Sequence, residues 1–148
     1  MIRTTLLAVM MLAGGLSAAT AAEHEIQMLN KSEATGDRMV YEPAFIEVAV
    51  GETVTWRAAD KGHNVEFIKD GVPDGVEGFK SKINKEVSYT FETPGVYFYK
   101  CTPHFGMGMV GMIVVGGDTS NLEAASSARF VGRSKARASD LAEQAAAL

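Results

Sequence analysis

Short runs of alternating apolar and polar residues, cut apart by turn signals, constrain this chain more than any other feature. Ile26 and Met28 alternate with polar neighbours, and Ile46, Val48 and Val50 share one face of the next run. Val54 and Trp56 share a face of another, and Val87, Tyr89 and Phe91 alternate with Ser88 and Thr90. Successive side chains of a strand point to opposite faces, so a period of two marks a half-buried strand. Gly95 to Cys101 is rich in aromatics, and Val110 to Val115 is a continuous apolar run. Turn signals at Gly51, Gly62, Gly71, Gly75 and Pro94-Gly95 separate these pieces. Many short strands at such spacing predict an all-β sandwich or barrel. A length of 148 residues suits one such domain with a real core and excludes a large multidomain enzyme.

The two ends read differently. Arg3, the apolar run Leu6 to Leu12 and the small residues around Ala19-Thr20-Ala21 make a signal peptide over residues 1–22, cleaved after Ala21 or Ala22. The apolar run is too short to span a bilayer, and no later stretch is long enough either. The sandwich is expected over 23–116, and at Gly116-Gly117 the composition turns to alanine and helix formers. Ser120 and Glu123 have capping-box spacing, and Leu141, Ala145 and Leu148 fall on one helical face. Two C-terminal helices over 117–148 are therefore expected to pack on the sandwich. Asn30-Lys31-Ser32 matches a glycosylation sequon, a cheap match of little weight.

The formal net charge is −4, and loss of the leader with Arg3 makes the chain more acidic still, which argues against nucleic acid as a partner. One cysteine excludes an intrachain disulfide, and an exported lone thiol needs a reason. That reason lies in Cys101-Thr102-Pro103-His104-Phe105-Gly106-Met107-Gly108-Met109, a C-x2-H-x4-M sequence directly after a strand. With His63 upstream it offers a thiolate, two imidazoles and a thioether. Trigonal His2Cys ligation with a weak axial Met is the signature of a type 1 blue-copper electron-transfer site. Zinc accepts thiolate and imidazole, but a thioether suits it poorly. His63, Cys101, His104 and Met109 are thus the expected ligands of one copper ion, held at one end of the sandwich. His24, the remaining histidine, is expected to be solvent-exposed. Asn64 is placed to donate its amide to the thiolate and tie the two ligand loops, Thr102 to bond across the same seam, and Pro103 to leave the sulfur without one backbone donor. Gly106 to Gly111 formally matches G-x-G-x-x-G, but a strand rather than a helix follows, so dinucleotide binding is rejected and the glycines are expected to let the loop curl.

The blocks Met28-Leu29-Asn30-Lys31, Tyr41-Glu42-Pro43-Ala44, Asp60-Lys61-Gly62-His63-Asn64-Val65-Glu66, Phe79-Lys80-Ser81-Lys82-Ile83-Asn84 and Lys100-Cys101-Thr102-Pro103-His104 resemble the pseudoazurins, over nearly the whole chain after the leader. The resemblance implies a cupredoxin Greek-key sandwich with a type 1 copper. It implies a monomeric periplasmic electron carrier, with nitrite reductase or c-type cytochromes as transient partners. It also implies that Tyr97 occupies a tyrosine-corner position and that Met39 packs near the exposed histidine ligand. Phe105-Gly106 departs from the usual Tyr and Ala, which alters the rim and removes no ligand.

An oxidase would need further metal ligands, and three histidines leave none to spare. A copper carrier or storage protein is the alternative, with Met107, Met109 and Met112 as a faint hint of it. For an electron carrier, His104 is the expected exit, flanked by Phe105 and Met107 as a docking rim. Lys61 and Lys100 lie beside ligands, and the resemblance brings Lys80, Lys82 and Lys85 to the same end, where they would steer an acidic partner.

Overall fold

A computed structural model describes residues 22–148; the expected leader, apart from Ala22, lies outside the described residues. Among the described residues, eight strands form two four-stranded sheets. β1 (Glu23–Lys31), β2 (Arg38–Glu42), β4 (Thr53–Arg57) and β6 (Val87–Thr90) make one, in the order β2-β1-β4-β6. β3 (Phe45–Val48), β5 (Glu66–Phe67), β7 (Gly95–Lys100) and β8 (Val110–Val115) make the other, in the order β3-β8-β7-β5. β1 pairs in parallel with β4, and β3 with β8, while the remaining pairs are antiparallel. The expected all-β sandwich is therefore present, followed by α1 (Leu122–Ser126) and α2 (Ser134–Ala146).

β7 and β8 explain both the aromatic run and the unbroken apolar run. Their antiparallel ladder runs from Gly95 opposite Val115 to Lys100 opposite Val110. Tyr97, Tyr99, Ile113 and Val115 face the core between the sheets, with Ile26, Met28, Val54 and Trp56 across from them. Val96, Phe98, Met112 and Val114 face the other way, against Ala125 of α1 and Ala138, Leu141 and Ala145 of α2. A strand covered on both faces has no polar side to alternate with, which is why β8 reads as continuously apolar. The Tyr97 hydroxyl donates to the carbonyl of Thr93 at 2.7 Å, closing the expected tyrosine corner.

Three details depart from expectation. Val50 lies past the end of β3 at a turn and is 48% exposed. Ser120 and Glu123 do not form a capping box: Asn121 is the N-cap of α1 and has no side-chain cap bond. The Asn121 amide is committed instead to Val96 of β7, accepting from its N–H at 2.8 Å and donating to its carbonyl at 3.0 Å, so a tertiary tie displaces the local one. Leu148 lies beyond the end of α2 and is exposed, and Ala138 completes the buried stripe with Leu141 and Ala145.

Gly111 sits mid-strand, not in the loop, and faces the Tyr99 ring. A Cβ there would lie 2.3 Å from the Tyr99 hydroxyl oxygen. Gly111→Ala must therefore displace a buried aromatic side chain, and is expected to cost about 1–3 kcal/mol of unfolding free energy by overpacking. Urea titration of the metal-free protein measures this; a variant as stable as the wild type would show that the ring moves freely.

Candidate metal centre

The inward parity of β7 runs through Tyr97 and Tyr99 to Cys101, so the strand delivers the thiol to the core at its end. The loop then turns through a 310 segment, Phe105–Met107, capped by Gly108 at φ 97°. The chain returns at Met109, whose carbonyl accepts from the Cys101 N–H at 3.0 Å and whose N–H donates to the carbonyl of His104 at 3.2 Å. His63 comes from the loop between β4 and β5. Its Nδ1 lies 3.1 Å from Nδ1 of His104 and 3.8 Å from Sγ of Cys101, and the His104 Nδ1 lies 3.5 Å from that sulfur. Such separations fall within twice a bond of about 2.0–2.3 Å, so one ion can reach all three atoms. Cys101, His63 and Met109 are fully buried, whereas His104 is partly exposed.

His63 is fixed from behind. Its Nε2 lies 2.9 Å from Oδ1 of Asn30, which can only accept there, so the proton belongs on Nε2 and Nδ1 is free to ligate. Asp60 receives the N–H of Asn30 at 2.7 Å, the N–H of Gly62 donates to Oδ1 of Asn84 at 2.6 Å, and the N–H of Asn84 donates to the His63 carbonyl at 3.0 Å. Burial, followed by the neighbouring His104, lowers the pKa of His63, which favours the neutral ring a metal requires. Asn30, Asp60 and Asn84 were not singled out from sequence for this role. The only local signal was the sequon at Asn30, which pointed elsewhere.

The buried Asn64 joins the two ligand loops as expected. Its Oδ1 accepts from the N–H of Thr102 at 2.8 Å, and its Nδ2 donates to Oγ1 of Thr102 at 3.0 Å and to the carbonyl of Ser81 at 3.3 Å. The expected donation from that amide to the thiolate is not made, because Thr102 and Ser81 occupy it. The backbone N–H groups of Asn64 and His104 favour the thiolate instead, the latter while donating to the Cys101 carbonyl at 3.2 Å. Burial pushes the Cys101 thiol up, against these two donors, so the free group stays protonated until a metal displaces the proton. Pro103 supplies no N–H between Thr102 and His104. Met39 adopts φ 53° and packs against the core cluster that contains Cys101 and Met109.

Around the exposed edge, Met107 is 45% exposed and Phe105 is partly covered by Phe130, with ring centroids 6.2 Å apart. Lys100 lies 4.9 Å above the Phe105 ring. Lys80 and Lys100 also converge on Glu66, at 3.3 and 3.8 Å, and the Thr102 hydroxyl donates to the same carboxylate at 2.6 Å. Burial alone would raise Glu66, but that bond and the two lysines outweigh it and hold its carboxyl below the usual range. Two of the expected steering charges are thus partly spent within the protein. Lys61 and Lys82 are exposed and, among the described residues, form no ion pair. Lys61 precedes Gly62, where a Cβ would come within 3.8 Å of Cε1 of His104. His24 corrects the sequence reading: it is partly buried and paired with Glu52 at 2.7 Å, because β1 lies alongside β4.

Two sheets and a buried thiol converging with two imidazoles, with Met109 in the same core cluster as the thiol, define a cupredoxin with its residues arranged as a type 1 copper site. Residues 26–116 match the profile of copper-binding proteins of the plastocyanin/azurin family. Pseudoazurin of Paracoccus pantotrophus is 50% identical over 117 residues, 79% of each chain. A pseudoazurin structure from Sinorhizobium meliloti superposes with a TM-score of 0.79 at 48% identity, covering 82% of this chain and 94% of that one. The pseudoazurin of Methylobacterium extorquens AM1 superposes with a TM-score of 0.78 at 39% identity, covering 83% and 98%. The chain belongs to the pseudoazurins, within the copper-binding plastocyanin/azurin family. Pseudoazurins are electron carriers and not enzymes.

The hold of Asn30 on His63 makes a measurable claim. Asn30→Ala frees Nε2 and is expected to weaken copper binding by about 10–100-fold, the usual consequence of losing the partner of a ligating histidine. Competition with a chelator measures this; unchanged affinity would show that the ring is held by packing alone.

Proposed function

We propose that this protein is a periplasmic one-electron carrier, exported by the leader over 1–22, folded as a sandwich over 23–116 with a helical extension over 117–148. It acts as a monomer and serves a nitrite reductase or a c-type cytochrome. His63, Cys101, His104 and Met109 are the residues that would hold copper, through two imidazoles, a thiolate and a thioether. Bound copper supplies a single-electron couple between Cu(I) and Cu(II). The chain supplies the rest: Asn30 and Asn64 fix the ligand loops, and the core around Cys101 and Met109 excludes water. Little movement on electron transfer means a small reorganisation cost. The observation that carries this reading is the difference in burial among the four residues. His104 alone reaches the surface, so a partner docked over Phe105 and Met107 lies one imidazole from the metal.

A copper carrier needs open, exchangeable ligands. Met109 faces the core, Met112 faces the helices and Met107 stands alone at the surface, so the three methionines do not form such a site.

The assignment of Cys101 predicts that Cys101→Ala abolishes the blue colour of the copper-loaded protein, since thiolate-to-copper charge transfer is lost. Strong absorption retained in the visible spectrum would refute it. Docking is expected to be small and transient, below about 1,200 Å² in total. Exposed charges are screened over about 10 Å at 0.1 M salt and about 3 Å at 1 M. Electron transfer to an acidic reductase should therefore slow as salt rises. Lys61→Ala with Lys82→Ala should flatten that dependence more than Lys80→Ala, whose charge Glu66 already offsets. Stopped-flow rates that rise with salt, or equal slopes for both variants, would rule out this steering.

A further inference from the structure

The connector between α1 and α2 lies directly on the loop that carries His104 and Met109. The N–H of Arg133 donates to the carbonyl of Gly106 at 3.0 Å. Gly132 stands at φ 56°, and a Cβ there would lie 2.3 Å from that carbonyl oxygen. From the loop side, a Cβ at Gly108 would lie 3.2 Å from Cβ of Arg133. The Phe130 ring packs on Phe98 at 5.0 Å and on Phe105 at 6.2 Å. Behind this contact the connector is stiff: buried Ser134 accepts from the N–H of Val131 at 2.9 Å and donates to its carbonyl at 2.6 Å.

We propose that Gly132 is a positioning residue for the copper site, whose missing side chain lets the helical extension clamp Gly106 and so fix the span between His104 and Met109. Within the loop, the His104 carbonyl accepts from both Met107 and Met109. The outward Gly106 carbonyl is taken up by the extension, so the loop is bonded on both its inner and outer sides. A side chain at 132 has to push the loop or the connector aside. Either movement loosens the turn that separates the two ligands. This inference rests on the copper reading for its consequence and on contacts within the chain for its cause.

The test compares Gly132→Ala with Gly117→Ala. Gly117 has φ 65° and nothing within 4 Å of its would-be Cβ, so it carries the backbone strain of the substitution without the contact. In the metal-free proteins, amide exchange at Gly108 and Met109 is expected to quicken about tenfold in Gly132→Ala, the scale of one lost hydrogen bond, and to stay at the wild-type rate in Gly117→Ala. With copper loaded, Gly132→Ala should shift the visible spectrum and the reduction potential and release copper to a chelator about tenfold faster. Phe130→Ala, which leaves the backbone of Gly132 untouched, should change exchange and spectrum in the same direction and serves if Gly132→Ala does not fold. Equal exchange in Gly132→Ala and Gly117→Ala, or a Gly132→Ala site with unchanged spectrum and potential, would overturn the clamp. Quickened exchange together with a wild-type protein that takes up no copper would uphold the clamp and overturn the copper reading instead.

Discussion

The ladder between β7 and β8 organises this molecule. Because Lys100 pairs with Val110, the next step along the hairpin brings the Cys101 N–H onto the carbonyl of Met109, and the ligand loop closes on itself. The same register puts Tyr97, Tyr99 and Cys101 on one face with Met109, Ile113 and Val115. A slip of one residue would turn every one of these side chains to the opposite face, taking the thiol out of reach of His63. Metal site and core therefore share one alignment, and neither can shift without the other.

The helices belong to this alignment because β7 and β8 are apolar on both faces. A sheet whose outer face carries Phe98, Met112 and Val114 must be covered, and α1 and α2 cover it. The cover reaches the metal end through Phe130 and Gly132. Dispersed apolar burial on one side of the sheet and a single backbone hydrogen bond at its tip are parts of one layer.

What could be read in advance follows from what kind of signal each feature leaves. Strand periodicity is local, so most strands and both helices were legible. The four residues of the candidate copper site could be picked out because Cys101, His104 and Met109 follow one another at short spacing, and rarity singled out His63. Asn30 was not, since it meets His63 only through the parallel pairing of β1 with β4. The capping box failed for a related reason: its spacing is local, while the bond from Asn121 to Val96 that replaced it spans the sheet-to-helix gap. His24 was misplaced because nothing near it in sequence announces Glu52. The pairing of Lys80 and Lys100 by Glu66 was invisible too, and it changes which lysines offer charge to a partner.

Closure of the hairpin below the loop separates the length of the loop from the integrity of the sandwich. The paired residues of the ladder, from Lys100 opposite Val110 outward, lie outside the nine residues from Cys101 to Met109, whose first and last members add only the closing bond from the Cys101 N–H to the Met109 carbonyl. A change of length between Cys101 and Met109 therefore meets the contact of Gly106 with the helical extension before it meets the pairing of the strands. One sandwich can in this way host metal loops of different reach, and redesign of the loop need not begin with redesign of the fold.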